Sequence, residues 1–313
     1  MSLEVRSFRR SDREQLTGLV NAHVAAVMPG GAVSVARLLG QLEREPGEFI
    51  VDPWVRERAT LVAVQRDRVV AAAHLLRYAD DERVSQSYRA AAEIRWFLHW
   101  PEAPFWRGSV EAADTLLAAC VAQLGRWSSE RQYADGSLPY PGVYGVPEQW
   151  PHVAAAYARA GFAPEGAGRV ETVYLAEVAD LPAVGDPPLD GLEVARLVGV
   201  NGTRLSARLG DEVLGFIEVE VLDEGERLGR EGRIADVGNL HVVEERRRQG
   251  IGTWLVAHAG AWLRLARVGR LLDYTGPEDE AVCRPFLETL GFRVLTRTQR
   301  SWIRRRGEEQ VSD

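Results

Sequence analysis

The chain has no lysine; all 38 of its Lys+Arg residues are arginine. That excludes a lysine nucleophile, a Schiff base and the lysine of a phosphate-binding P-loop. Cysteine is nearly as scarce. Cys120 and Cys283 are the only two, too few to staple a chain of this length, and no CxxC or paired Cys/His spacing points to zinc. The six histidines are scattered with no metal-ligand spacing, so no metal is expected. No apolar run approaches the ~18 residues of a membrane span, so no membrane partner is expected. The N-terminal segment MSLEVRSFRR lacks the apolar stretch of a signal peptide, which makes a cytoplasmic location the expectation. Positive charge is in deficit: 38 cationic against 45 acidic residues give a net charge of −7. Nucleic-acid-binding surfaces are usually basic, so nucleic acid is not the expected partner, and a small cationic molecule fits better.

What is present is ordinary for a folded protein: 313 residues, 46% hydrophobic and 27% charged, enough for two domains. The clearest break is the segment 181–191, LPAVGDPPLDG, where three prolines and two glycines in eleven residues cannot continue a helix or a central strand. It reads as a linker between an N-terminal domain, 1–180, and a C-terminal domain, 192–306, with a tail at 307–313.

After the linker, Leu192–Arg196 is a possible strand. TRLSARL (203–209) and VLGFIEVEVL (213–222) alternate as two strands joined by Gly210-Asp211-Glu212, and IADVGNLHVV (234–243) makes another. Leu255, Ala259, Trp262 and Leu263 recur at helical spacing within 252–267. A short strand at 270–274, a helix at 278–290 stopped by Gly291, and a strand at 293–303 follow. The first half shows the same order with two helices, through Ala26 and at 33–44, added at its front. A capping box, Ser11 to Glu14, opens the first of these. Strands at 61–65, 69–77 and 92–99 precede a helix at 110–127. A helix at 150–160 then ends in Gly161-Phe162, before a strand at 171–178. The endings AAAYARAGF (154–162) and CRPFLETLGF (283–292) suggest an internal duplication.

The chemically informative stretch is LHVVEERRRQGIGT (240–253), a strand running through Arg247-x-x-Gly250-x-Gly252 into a helix. The first amides of a helix have no intrahelical acceptor, and the helix dipole adds positive potential there. Gln249, Gly250, Ile251 and Gly252 therefore form a candidate pyrophosphate cradle, with Arg248 beside it and the Thr253 hydroxyl in reach. The bland alternative is a glycine turn that opens a helix and binds nothing. The GxxxxGK[ST] loop is absent, and so is the second glycine pair of GxGxxG.

This segment, in its strand-to-helix setting, resembles motif A of the GNAT superfamily of acetyl-coenzyme A-dependent N-acetyltransferases. The resemblance covers roughly 203–304, and the layout as a whole resembles tandem GNAT proteins. It implies an α/β (α+β) fold of two tandem GNAT domains, each a mixed, mostly antiparallel, splayed sheet flanked by helices. It implies acetyl-coenzyme A as co-substrate, with pantetheine on the backbone of Leu240, His241 and Val242 and pyrophosphate on 247–252. The N-terminal connection WPEAPFWRG (100–108) has no RxxGxG, and its two prolines remove amides. That domain is expected to be a degenerate copy that binds the co-substrate poorly.

In the family a carboxylate on the motif-A strand often acts as base. Asp236 falls there, and period-2 counting puts it on one face with Leu240 and Val242, with Asn239 on the other as a lesser polar candidate. A surface ion pair is the plain alternative for Asp236. The Val242 amide is the expected oxyanion donor, and His241 is expected on the packed face. The family's frequent acid, a tyrosine four residues before Gly-Phe, is replaced by Leu287, while the N-terminal copy has it as Tyr157. Tyr274 is the substitute candidate, against the reading of a packed aromatic. Cys283 reads as inert. Only about ten residues separate the first two C-terminal strands, so the two helices that usually wall the acceptor site are missing. The N-terminal tryptophans, Trp54, Trp96, Trp100, Trp106, Trp127 and Trp150, and the irregular 133–149 loop are candidates for that wall, although core packing also explains the tryptophans. The expected function is acetyl transfer to a small amine by a monomer or homodimer. A non-catalytic acyl-coenzyme A sensor or scaffold is the rival.

Overall fold

A computed structural model of the chain describes residues 3–44, 54–101, 108–127, 129, 131–166, 170–222 and 233–305. Backbone contacts divide it into two units, Met1–Val170 with Thr298–Asp313, and Glu171–Arg297.

The first unit begins with β1 (Leu3–Ser7), a short turn at Arg10–Asp12, α1 (Arg13–Val27) and α2 (Val35–Glu43). The expected Ser11–Glu14 capping box does not form at that register. Asp12 takes the role instead, accepting from the Arg9 amide at 2.8 Å and pairing with Arg6 at 2.7 Å. The hairpin of β2 (Val55–Gln65) and β3 (Arg68–Tyr78) turns through Arg66 and Asp67, both at positive φ, as a two-residue turn compatible with strand twist requires. Next come β4 (Ala92–His99), α3 (Ser109–Arg126), β5 (Arg131–Ala134), β6 (Val146–Pro147), α4 (Pro151–Arg159) and β7 (Ala163–Pro164). Nearly every residue of β3 and β4 is buried, because helices leave neither face open to water.

The second unit contains β8 (Val170–Glu177), β9 (Leu192–Val198), β10 (Thr203–Leu209), β11 (Glu212–Val221), β12 (Arg233–Val242), α5 (Ile251–Leu265), β13 (Val268–Thr275), α6 (Pro277–Thr289) and β14 (Arg293–Gln299). Its core gathers Tyr174, Ile217, Val219, Leu255, Leu263 and Leu271, all at most 3% exposed. The sheet runs β14-β8-β13-β12-β11-β10-β9. All the pairings recorded for β9 to β13 are antiparallel except β12 with β13.

Two sequence expectations are corrected here. The 181–191 stretch is not the divide between units: β8, which follows the first Gly-Phe, already lies in the second sheet, beside β13. The closing strand expected at 293–303 breaks at Ser301, which sits at φ 57. Its second part, β15 (Trp302–Arg305), completes the first sheet in the order β1-β2-β3-β4-β5-β15-β7. Each repeat's final strand thus serves the other repeat's sheet. Arg304 and Arg305 lie in that strand, and Arg304 donates to Gln132 at 3.0 Å. Arg306 lies outside the described residues.

Candidate active site

β12 carries the site, and a β-bulge shapes it. Val219 pairs with Val237 and Glu218 with Asn239, so Gly238 is an extra residue. A glycine is needed because a Cβ there would stand 2.4 Å from the Asn201 Cβ. The bulge shifts the side-chain alternation by one. Val237, opposite Val219, and Leu240, opposite Ile217, turn toward the core under α5. Asp236, opposite Glu220, and Asn239, opposite Glu218, share the other face. The expectation that Asp236 shares a face with Leu240 and Val242 is therefore wrong, and so is the separation of Asp236 from Asn239. His241 is also on this outer face, exposed and 5.8 Å from the Phe216 ring, not on the packed side.

β12 and β13 pair in parallel only as far as Asp236 with Leu272. Beyond that point β12 stays on β11 to Val242, while β13 stays on β8 to Thr275. The strands part and leave a wedge. The Val243 amide donates to Leu214 O at 2.9 Å, and antiparallel bonds alternate. The backbone groups of Leu240 and Val242 consequently face away from β11, toward the wedge.

At the mouth of the wedge the chain passes through a turn at Glu244–Arg246 into Gly250, at φ 85, which caps α5. The Trp254 amide takes Gly250 O at 3.0 Å, so the amides of Ile251, Gly252 and Thr253 precede the first intrahelical acceptor. Arg248 is held at φ 61, and the Arg247 Nε donates to Val242 O at 3.1 Å. The Gln249 side chain bonds Glu245 O at 3.1 Å, leaving its backbone as the part directed to a ligand. Ile251 sends its side chain into the core and Thr253 is exposed. A Cβ on Gly250 would stand 3.3 Å from Pro188, and one on Gly252 would stand 3.3 Å from Phe286. Donors, glycines and arginines together suit a pyrophosphate.

Two carboxylates flank the parting strands. Asp236 is half-buried, and its Oδ1 has no hydrogen-bond partner among the described residues. Burial, with Glu220 nearby, pushes its carboxyl up to about 6. Asp273, which the sequence reading missed, follows Leu272 and lies opposite the buried Tyr174 on the face covered by α5 and α6. The Tyr274 amide donates to its Oδ1 at 2.8 Å, yet burial, with Asp236 adding repulsion, pushes it up to about 7. No motif announces it: an aspartate in a short strand looks like a surface residue until its neighbours are known.

Tyr274 is half-buried on β13. Leu287 is buried at 3% and belongs to the core. Its N-terminal counterpart, Tyr157, is fully buried and spends its hydroxyl on Asp135 O at 2.7 Å. Burial pushes both Cys120 and Cys283 thiols up. Glu218 was also missed. Burial raises its carboxyl, but Arg204 at 2.7 Å and the amides of Val200 and Asn201 outweigh that and hold it low. It thereby anchors the 199–202 turn joining β9 to β10. No helix stands between those strands, and Val198 and Val200 remain 95% and 88% exposed. In the 133–149 loop, Leu138, Tyr140, Val143 and Val146 are buried. Trp96, Trp127 and Trp150 are core residues; Trp106 lies outside the described residues.

Residues 153–292 match the acetyltransferase (GNAT) family. A tandem GNAT protein from the clavulanic acid biosynthesis pathway shares the fold over the whole of both chains, with TM-score 0.59 and 16% identity. The chain has the fold of a tandem GNAT protein, with the family match lying over residues 153–292. A GCN5-related N-acetyltransferase from Sphaerobacter thermophilus superposes over 96% of this chain and 94% of its own, with TM-score 0.57 and 13% identity. A GCN5-related glucosamine N-acetyltransferase region of a fungal multidomain β-N-acetylglucosaminidase gives TM-score 0.61 at 15% identity. This chain spans 96% of its own length but only 38% of that protein. Curated protein sequences contain no match. The family match supports acyl transfer in general for residues 153–292. Among the described residues, no helix is long and apolar enough to cross a membrane, and no cluster of three or more His, Cys, Asp or Glu could hold a metal.

Proposed function

We propose that the second unit transfers an acetyl group from acetyl-coenzyme A to the primary amine of a small, cationic acceptor. The observation that carries this reading is the wedge: two strands that part beside a glycine-capped helix N-terminus, with a desolvated carboxylate on each side. Amides at 251–253, with Gly250 and Arg246–Arg248, would hold the pyrophosphate, and the backbone edge at Leu240–Val242 that β13 leaves would align the pantetheine. Bound acetyl-coenzyme A supplies the acetyl group as a thioester.

The chain's own residues divide the proton work. Asp236, on the outer face with Asn239, accepts the proton released as the amine nitrogen bonds to the carbonyl carbon. Asp273, on the inner face, donates a proton to the sulfur as the carbon–sulfur bond breaks. A carboxyl near 7 is a stronger acid than a thiol of about 8.5, so that transfer runs downhill. The Val242 N–H faces the wedge, where it can stabilise the carbonyl oxygen as charge develops. Tyr274 then orients Asp273 through its backbone amide, and its hydroxyl is not needed.

Burial of Leu287 in the acid position favours a second reading, acyl-coenzyme A binding without turnover. Calorimetric titration of acetyl-coenzyme A into wild type and Gly250→Glu tests the binding half. One site per chain, lost in the variant, is expected. Two sites would place another in the first unit, and none would overturn the proposal. Turnover on at least one member of an amine panel separates catalysis from sensing.

A further inference from the structure

The first unit repeats the bulge. His74 pairs with Trp96 and Leu75 with Ile94, so Arg95 is the extra residue of β4. Glu93 stands two residues before it, as Asp236 stands two before Gly238. The carboxylate has survived in a unit whose wedge is shut. β5 pairs on through Ile94 with Ala134, and the amides of Asp135 and Ser137 then bond Ile94 O and Arg95 O at 2.9 and 3.1 Å. The strands do not part there.

Glu93 nevertheless borders a cavity of about 170 Å³ within this unit, lined also by Ser87, Tyr88, Tyr133, Asp135 and Arg300, with Glu165 and Ser301 at its edge. Glu93 is 2% exposed; it accepts from the Tyr78 hydroxyl and lies 3.7 Å from Arg95. Burial pushes its carboxyl up, Arg95 pulls it down, and Asp135 pushes it up again. Asp135 is fixed by the Gly136 amide at 2.9 Å and the Ser137 hydroxyl at 2.6 Å. Tyr88 packs against Tyr78, Tyr133 and Trp54 at centroid distances of 5.1, 5.4 and 6.4 Å. The cavity therefore combines the carboxylates of Glu93, Asp135 and Glu165, opposed by the lining Arg300 and by Arg95 beside Glu93, with aromatic walls, and an excess of carboxylates beside aromatic faces attracts an organic cation. Its volume is that of a site able to take a six-membered ring.

We infer that this cavity is a non-catalytic binding site for a small organic ammonium ion, its charged head at Glu93 and Asp135 and its hydrocarbon part against Tyr88 and Tyr133. The site is separate from the wedge of the second unit and does not depend on acetyl transfer there.

The test is calorimetric titration of the full chain with benzylamine, charged at pH 7, and with its neutral counterpart benzyl alcohol. Saturable benzylammonium binding is expected, with benzyl alcohol at least tenfold weaker. Glu93→Gln removes the buried carboxyl, and Ser87→Arg places a competing cation at the exposed rim without disturbing the core. Each should weaken binding at least tenfold, whereas Asp236→Asn should leave it unchanged. Should Glu93→Gln fail to fold, Ser87→Arg decides. The inference is overturned if wild type binds no benzylammonium, if benzyl alcohol binds as well, if Ser87→Arg binds like wild type, or if Asp236→Asn abolishes binding. The last outcome would move the amine to the second unit, in accord with the acetyl-transfer proposal, and so keeps the two readings apart.

Discussion

The two units carry the same strand with the same irregularity and use it differently. In β12 the bulge residue is Gly238 and the strand leaves its parallel neighbour after Asp236; in β4 the bulge residue is Arg95 and the parallel neighbour follows on through Asp135 and Ser137. Both keep a carboxylate two residues before the bulge. Both are followed by a helix capped by a glycine at positive φ, Gly108 and Gly250, but only the open copy carries the RxxGxG turn. The open copy thus combines three separate features: the bulge, the parting of strands and the RxxGxG turn. The first unit shows that the bulge and the carboxylate can persist without the other two.

The largest effect expected from breaking this comparison is at Asp236. Asp236→Asn should lower kcat by ~10²–10⁴-fold and remove the acid limb of the rate profile, whereas Glu93→Gln should leave kcat unchanged. Next is Asp273→Asn, with a loss of about 10²-fold, at the low end of general acid–base contributions, and the alkaline limb abolished. Together the pair, at about 6 and about 7, predicts a narrow bell with limbs near those values. Both substitutions should also stabilise the fold at pH 7. A carboxyl raised on folding favours the native state below its unfolded value near 3.8 and loses that contribution as pH rises through 6 to 7. Thermal melts at pH 4 and pH 7 should show the gain only at pH 7, on the order of 1 kcal/mol for Asp236→Asn once solvent reaching the side chain is allowed for.

Gly238→Ala should cost ~1–3 kcal/mol by forcing the Asn201 turn aside, and Asn201→Gly should restore part of it; denaturant midpoints measure both. The smallest effect is confined to the first unit. His23 donates from Nδ1 to Leu19 O at 2.9 Å and meets His152 Nε2 at 3.0 Å, with His99 4.8 Å from the His152 ring. Burial holds His23 down to about 4 and His152 to about 3. Their neutral forms stabilise the unit above pH 6.5, and that contribution is lost as pH falls toward 4. Acid titration of stability should therefore be shallower in His152→Gln, by a few tenths of a kcal/mol in a marginal case and no more than ~1–2 kcal/mol in all.

Much of this was legible in the residues. The repeat, the strand and helix positions around 203–292 and the RxxGxG turn rest on local periodicity and on glycines whose conformations other residues resist. Asp236 stands out in the sequence because the motif places it, but counting puts it on the wrong face. Counting by twos assumes an unbroken strand, and Gly238 in a strand interior was the available sign of a bulge. Asp273 and Glu218 had no such sign. Their chemistry comes from what packs on them: Tyr174 and the helices over the one, Arg204 and the 199–202 turn over the other.

The sequence by itself determined the local elements, the duplicated plan and the RxxGxG turn, because these depend on residues a few positions apart. Only the tertiary structure decided which sheet each final strand joins, where the parallel strands part and which carboxylates are desolvated. Strand partners and burial are long-range properties: they depend on residues distant in the chain, and no local pattern encodes how water is excluded from a side chain by elements a hundred residues away.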